Sequence, residues 1–128
     1  MSVRNNAAIA GLGITPMGKV FGRSAVDFAA EAIKIALEDA GLDKSELDGL
    51  LVNQGPTAPN PLILQGGGGI GVQPYLGIPE LRLNLNMQGG GATAGQMVHF
   101  AAMAVQEGLA SVVACVFADA PLREGVGA

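Results

Sequence analysis

The chain has 128 residues, enough for one domain, and 49% of them are apolar, so a packed core is possible. A single cysteine and a single histidine exclude a disulfide framework and the zinc motifs that need several such residues, and no metal site is predicted. The net charge of −4 argues against nucleic acid as a partner.

The beginning of the chain does not have the features of a good signal peptide, because its apolar run is short and interrupted by glycines. The uncharged stretches contain Asn, Gln and many Gly, which are costly in lipid, so no membrane span is predicted. The cytoplasm is therefore the expected compartment.

The first elements follow from local patterns. The apolar run AAIAGLGI at 7–14 predicts a buried strand. Ser24 and Asp27 have the spacing of a capping box, and apolar residues then recur every three or four positions. This pattern predicts a helix over Ala25–Ala40 that ends at Gly41.

The middle of the chain is less regular. Residues 50–53 predict a second strand, and the Gly- and Pro-rich stretch 54–72 predicts a long loop. Pro74 can open a helical turn that runs through residue 76. Leucine and polar residues alternate over 81–87, which predicts a strand with one apolar face.

The last elements complete an alternating order. Three glycines follow the strand at 81–87 and lead into a predicted helix over about 92–107, which Gly108 ends. The apolar run SVVACVFA at 111–118 predicts a buried strand. Strands that alternate with helices in this way indicate an α/β layered fold.

Charge is distributed unevenly along the chain. Between residues 49 and 106 the only charged side chains are Glu80 and Arg82. In a domain this small, such a long uncharged stretch suggests a surface that is covered by a second copy, another subunit or the rest of a longer chain. The alternative is an uncharged but polar surface loop.

Two glycine clusters are candidate binding loops. The run at 66–69 lacks the Lys and Ser/Thr of a phosphate-binding loop and follows no clear strand, so a turned loop is the favoured interpretation. Gly89, Gly90 and Gly91 instead join a strand to a helix N-terminus, where free N–H groups favour an anion or oxyanion. A tight strand–helix crossing would explain the same three glycines equally well.

Other reactive side chains have simpler interpretations. Cys115 lies within an apolar run and is predicted to be a buried core thiol with a raised pKa, a poor nucleophile. His99 falls on the more polar stripe of its helix and is predicted to face solvent or an interface. Thr93 is most simply a helix-capping hydroxyl. No Ser-His-Asp or paired-carboxylate arrangement is predicted around Asp119 and Glu124.

Three segments carry a resemblance to a known family: AIAGLGIT at 8–15, ALEDAGLDKSELDGLLV at 36–52, and LNMQGGGATAGQMVHFAAMAVQEGLASVVACVFADA at 85–120. Together they resemble the N-terminal half of the thiolase superfamily, most closely its thiolase-like lipid-transfer branch, which includes steroid side-chain aldolases. The resemblance implies an α/β thiolase-like layered fold in which residues 1–128 form one half, with helices on the faces of a mixed sheet. The C-terminal half is absent from these residues.

The resemblance also bears on catalysis. In thiolases a nucleophilic Cys opens the helix as Cys-Gly-Ser-Gly, and counting back from Gly108 places that position at Gly91. Glycine cannot carry an acyl group, so acyl transfer through this position is not expected. A glycine-rich turn without Cys is similar to the aldolase branch, in which the resemblance implies carbon–carbon cleavage of a CoA thioester without an acyl-enzyme.

The site and the partners that the resemblance implies follow from the same positions. Gly89, Gly90, Gly91 and Ala92 would line the substrate pocket, and the N–H groups of Gly91 and Ala92 would bind the oxyanion. Other catalytic groups would come from the C-terminal half, and CoA would enter as the substrate thioester, without a further cofactor. A homodimer through 81–107 and a small OB-fold partner subunit are also implied.

Two other functions stay open. One is an acyl-CoA acyltransferase whose nucleophile lies elsewhere. The other is a half without catalytic activity that binds lipid or CoA or acts as a scaffold.

Overall fold

The computed structural model describes residues 6–56, 71–122 and 125. The helices and strands of these residues are, in chain order, α1 (Ala25–Ala40), a 3-10 turn (Lys44–Glu46), β1 (Gly49–Gln54), α2 (Val72–Leu76), β2 (Leu83–Asn86), a 3-10 turn (Gly90–Ala92), α3 (Thr93–Gln106) and β3 (Val113–Ala118). Most of the loop predicted at 54–72, including the glycine run at 66–69, lies outside the described residues.

The sheet has the order β2-β1-β3, and both strand pairs are parallel. Leu51 of the central strand is aligned with Leu85 on one side and Cys115 on the other. The mixed sheet expected from the sequence is not found among the described strands. Both β1 and β2 are instead followed by a crossover that contains a helix, and such a connection brings the next strand back in the parallel direction.

Helix α1 begins and ends as predicted. The Ser24 hydroxyl accepts a hydrogen bond from the Asp27 N–H at 3.2 Å, and the Ser24 N–H donates to the Asp27 carboxylate at 2.8 Å, which completes the capping box. At the other end Gly41 has φ of 70°, a left-handed conformation in which glycine carries no steric penalty.

The core lies on both faces of the central strand. Leu50 and Val52 point to one face and pack in one cluster with Ala29 and Ile33 of α1. Leu51 is also fully buried, and because side chains alternate along a strand it points to the opposite face, where α3 packs. The two helices therefore cover opposite faces of the sheet, as in a layered α/β domain.

The predicted strand at 7–14 does not form; these residues are neither helix nor strand. The segment packs against α1 instead, because a Cβ on Gly11 or Gly13 would collide with a carbonyl oxygen of that helix, at Ala36 or Ala32. The N–H of Leu12 donates to the Asp39 carboxylate at 2.9 Å. The alternating glycines therefore allow close contact with a helix, although the apolar pattern had suggested a place in the sheet.

Asp48 ties the strands together at their amino ends. Its carboxylate accepts hydrogen bonds from the N–H groups of Ser111, at 2.9 Å, and Val112, at 2.8 Å. Its backbone carbonyl accepts from the N–H of Arg82 at 2.8 Å. Asp48, the residue immediately before β1, thus holds the chain just before β2 and just before β3 by hydrogen bonds.

Asp27 also links α1 to α2, since the Tyr75 hydroxyl donates to its carboxylate. This bond and the Ser24 N–H hold the pKa of Asp27 below its ordinary value of 3.8. A lowered carboxyl pKa contributes stability that is present above pH 3.8 and is lost as pH falls through the lower, folded-state value.

We expect Asp27→Asn to lower the free energy of unfolding at pH 7 by about 1 kcal/mol, a small value because the carboxylate is largely solvated. The difference from the natural protein should shrink as pH is lowered below 3.8, since both side chains are then neutral. Urea unfolding between about pH 2 and 7 measures it. Tyr75→Phe is the control, and it should reduce the acid sensitivity without abolishing it. A pH-independent difference would contradict the assignment.

The charge-poor part of the chain leaves apolar side chains exposed in the described residues. Helix α3 contains no Asp, Glu, Lys or Arg, yet its buried residues are only Thr93, Met97 and Ala104. Val98 of the same helix is 44% exposed. An uncharged helix with so much exposed surface is typical of a helix that a further element covers. None of the helices in the described ranges has the length and hydropathy needed to cross a membrane.

Candidate functional site

The site lies at the carboxyl edge of the parallel sheet. Residues Gly89–Ala92, which we call the glycine turn, follow β2 and lead directly into the N-terminus of α3. In open α/β sheets, ligands bind outside the carboxyl ends of the strands. The N-terminus of the following helix adds N–H groups and a partial positive charge, which favour a negatively charged or polarised oxygen.

A network of amide side chains holds this edge together. Asn53, near the end of β1, donates through its Nδ2 atom to the Met87 carbonyl at 2.9 Å and to Gln88 Oε1 at 2.8 Å. Gln88 in turn donates to the Gln54 carbonyl at 3.2 Å. The residues just before the glycine turn are therefore fixed to the central strand by hydrogen bonds that are independent of the sheet ladder.

The three glycines of the turn differ in how much the fold constrains them. A Cβ on Gly89 would collide with the terminal amide of Gln96, a flexible side chain that would have to move. Gly90 has φ of 61°, which L side chains rarely adopt. Gly91 has neither constraint, because its φ is not in the left-handed range and a Cβ built on it meets no atom within 4 Å. The absence of a side chain at Gly91 is therefore not required by the fold.

We expect this difference to appear in stability. Gly90→Ala should lower the free energy of unfolding by about 1–2 kcal/mol, the penalty of a left-handed residue with a Cβ. Gly91→Ala should be neutral or raise it by up to about 1 kcal/mol, because alanine restricts the unfolded chain. Urea denaturation of the two variants makes the comparison, and equal destabilisation by both would refute the distinction.

The N–H groups of the turn are not equivalent. The Ala92 N–H points to the Gly89 carbonyl at 3.4 Å, a long and weak hydrogen bond within the turn. Among the described residues, the N–H groups of Gly90 and Gly91 precede this first bond and have no acceptor. Ala92 was expected to be an oxyanion donor beside Gly91; its N–H has a weak acceptor within the turn, whereas those of Gly90 and Gly91 have none in the described structure.

Thr93 closes the turn from the helix side. It is not the N-cap of α3, which is Ala92, and it lies one residue inside the helix. Its hydroxyl accepts from the Gly89 N–H at 2.8 Å and donates to the Gly90 carbonyl at 2.7 Å. The predicted capping role is thus replaced by a bridge across the glycine turn.

Asp119 lies at the same edge, immediately after β3. A Cβ on Gly55 would collide with its carboxylate, so the chain after β1 and the chain after β3 are in close contact. The Gly55 N–H donates to the Ala118 carbonyl at 2.9 Å, which keeps the two strand ends together. Asp119 also accepts from the Ala120 N–H at 2.8 Å.

Cys115 is not the buried residue that its apolar run had indicated. The residue is exposed and lies on an outer strand of the described sheet, on the face opposite that of the buried Val116. Neighbouring apolar atoms still desolvate the thiolate and raise the pKa of Cys115 to about 11. The thiol therefore stays protonated at neutral pH and is a poor nucleophile, as predicted.

The other reactive side chains do not form a catalytic cluster in the described parts of the chain. His99 is exposed, in agreement with the sequence. Within residues 6–56 and 71–122, no three His, Cys, Asp or Glu side chains lie close enough together to hold a metal ion. The glycine turn could be predicted from the sequence, but the roles of Asn53 and Gln88 could not. An amide side chain has no distinctive sequence pattern, and only the positions of these residues at strand ends could have indicated them.

Comparison with known proteins shows sequence similarity to two curated enzymes. No protein-family profile matches the chain. The chain is 40% identical over 109 residues to a steroid side-chain-cleaving aldolase of Thermomonospora curvata, a match that covers 85% of this chain and 26% of that protein. It is also 40% identical over 107 residues to the 17-hydroxy-3-oxo-4-pregnene-20-carboxyl-CoA lyase of Mycobacterium tuberculosis, covering 84% of this chain and 25% of that protein.

A solved structure of a related aldolase is similar to this chain in both fold and sequence. A chain of an Ltp2-ChsH2(DUF35) aldolase superposes with a TM-score of 0.63 and 40% sequence identity, covering 84% of this chain and 26% of that chain. The chain thus spans about a quarter of the length of the relatives it matches.

Proposed function

We propose that residues 1–128 form the N-terminal part of a thiolase-like enzyme that breaks a carbon–carbon bond in a β-hydroxyacyl-CoA by retro-aldol cleavage. The names of the two curated relatives, an aldolase and a carboxyl-CoA lyase, support the reaction type and the CoA thioester. The thiolase-like assignment rests on the sequence motifs alone.

The observation that carries the proposal is the open space at Gly91. The position aligned with the thiolase nucleophile has no side chain, and the fold does not require this, since a Cβ there would meet no atom within 4 Å. An acyl-enzyme cannot form on glycine. The free space beside two N–H groups that have no acceptor among the described residues suits a bound thioester instead.

The chemistry follows from where charge develops. A base removes the proton of the β-hydroxyl, and its oxygen becomes a carbonyl as the bond between the α and β carbons breaks. The electron pair moves to the α carbon and onto the thioester oxygen, forming an enolate. The N–H groups of Gly90 and Gly91 would stabilise that oxygen. Protonation of the α carbon then releases a shorter acyl-CoA and a carbonyl product.

The proposal extends to partners. A second copy of the chain would cover part of the surface formed by residues 81–107, which include the uncharged helix α3. Leu85 and Met103 in this range are each 38% exposed, and exposed apolar side chains of this kind mark an interaction surface. A small OB-fold subunit would complete the site. The name Ltp2-ChsH2(DUF35) pairs two components in the solved relative, which supports a partner subunit for this protein.

The experiment that tests the function uses the natural protein as isolated from cells, with any subunit that purifies with it. We expect a β-hydroxyacyl-CoA with a tertiary β-hydroxyl to yield a shorter acyl-CoA and a ketone in equal amounts, measured by mass spectrometry. A saturated acyl-CoA of the same length, which has no β-hydroxyl, is the control and should stay intact.

Other outcomes would point to other functions. Covalent labelling of the chain by an acyl-CoA, without cleavage, would favour acyl transfer by a nucleophile elsewhere. Tight binding of acyl-CoA with neither reaction would favour a non-catalytic CoA- or lipid-binding role.

A further inference from the structure

We propose that Thr93 is a positioning residue that fixes the two oxyanion-binding N–H groups of the glycine turn. The proposal rests on the function proposed above and adds a residue to its site. Thr93 does not contact the thioester oxygen; it acts through the backbone of Gly89 and Gly90.

The first observation is that Thr93 is 2% exposed, and its hydroxyl is fully used by the turn. It accepts from the Gly89 N–H at 2.8 Å and donates to the Gly90 carbonyl at 2.7 Å. Both distances are those of good hydrogen bonds. A buried hydroxyl that bridges two consecutive residues holds the first peptide groups of the turn in one orientation.

The second observation is that the turn has few other contacts. Cβ atoms built on Gly90 and Gly91 meet nothing within 4 Å, so no side chain of residues 6–56 or 71–122 packs against that side of either residue. The backbone adds two hydrogen bonds: the Ala92 N–H donates to the Gly89 carbonyl over a long 3.4 Å, and the Thr93 N–H donates to the Gly90 carbonyl. Consecutive glycines have many accessible conformations, and ordering them needs specific contacts. The Thr93 hydroxyl supplies two of the hydrogen bonds that hold the turn.

The consequence for catalysis is geometric. An oxyanion hole works because its donors are already oriented before charge develops, so that no reorganisation is needed during the reaction. The peptide plane between Gly89 and Gly90 carries the Gly90 N–H, and the next plane joins the Gly90 carbonyl to the Gly91 N–H. The Thr93 hydroxyl, together with the backbone N–H of Thr93, therefore sets the direction of the Gly91 donor through the Gly90 carbonyl.

The test compares four variants in the natural protein assayed for β-hydroxyacyl-CoA cleavage. Thr93→Val keeps the shape and removes the hydroxyl, and we expect kcat to fall about 10- to 100-fold, with KM within about three-fold. Thr93→Ser keeps the hydroxyl, and its kcat should stay within about three-fold of the natural value. Thr93→Ala differs from the serine variant by the hydroxyl alone, and it gives the same comparison if the valine variant does not fold.

Asp48→Ala is the control for general destabilisation, because Asp48 lies at the opposite edge of the sheet and does not contact the turn. Its kcat should be unchanged below its melting temperature. Equal kcat values for the serine and alanine variants, or an equal loss of kcat in Asp48→Ala, would overturn the role of Thr93. A natural protein that cleaves no β-hydroxyacyl-CoA would instead remove the proposed function, and this inference with it.

Discussion

Gly91→Cys should fold like the natural protein and lose at least about ten-fold of its carbon–carbon cleavage activity. The fold accepts the side chain, because a Cβ at this position meets no atom within 4 Å and φ is not left-handed. The activity should fall because the new side chain occupies the space that the proposal assigns to the thioester. Steady-state cleavage and a thermal melt of the same sample measure the two effects.

The same variant tests the alignment with thiolases. A cysteine at a helix N-terminus has a lowered pKa and is a better nucleophile, so we expect acyl-CoA to acylate the introduced thiol. Intact mass would show the added acyl group. Gly95→Cys is the matched control, since a Cβ on Gly95 also meets nothing within 4 Å, and it lies one helical turn further along α3. Full activity without acylation in a folded Gly91→Cys variant would reject the assigned site.

Asp48→Ala should lower the free energy of unfolding by about 3 kcal/mol, the largest stability effect that we expect from a polar residue of this domain. The substitution leaves the N–H groups of Ser111 and Val112 without the carboxylate that accepts them at 2.8–2.9 Å. The Arg82 guanidinium, 4.0 Å from the carboxylate and more than half exposed, adds little. Urea denaturation monitored by circular dichroism measures the change.

Two further variants separate the causes of that loss. Asp48→Asn keeps one acceptor oxygen and should lie between the natural protein and Asp48→Ala. Arg82→Met, which removes only the distant ion pair and the bond to the Gly108 carbonyl, should change stability by less than about 1 kcal/mol. A larger loss in Arg82→Met than in Asp48→Ala would show that the carboxylate is not the main contact.

Elements defined by neighbouring residues could be predicted from the sequence. Helix α1 was predicted with its cap and its terminal glycine, because Ser24, Asp27 and Gly41 act on adjacent turns. The glycine turn was predicted for the same reason, since a strand, a glycine run and a helix follow one another. The roles of the individual glycines could not be predicted, because they depend on neighbours in space: the Gln96 side chain lies against Gly89, and no described atom lies near a Cβ built on Gly91.

Features that depend on distant residues were missed or misassigned. The Asp48 bonds join residues 63 and 64 positions apart, and nothing in the local sequence indicates them. The apolar pattern at 7–14 and that around Cys115 are both typical of buried strands. The first segment packs on a helix and the thiol is exposed, since burial depends on which element lies opposite and not on the run itself.

The strand order β2-β1-β3 has a consequence for folding during synthesis. The central strand is made first, and both strands that pair with it are made later. At about 5–20 residues per second, roughly 3–13 seconds separate the synthesis of Gln54 from that of Ala118. Leu50, Leu51 and Val52, which are fully buried in the finished sheet, are without one of their neighbouring strands during that time. The nascent chain is therefore a candidate for chaperone binding at this strand.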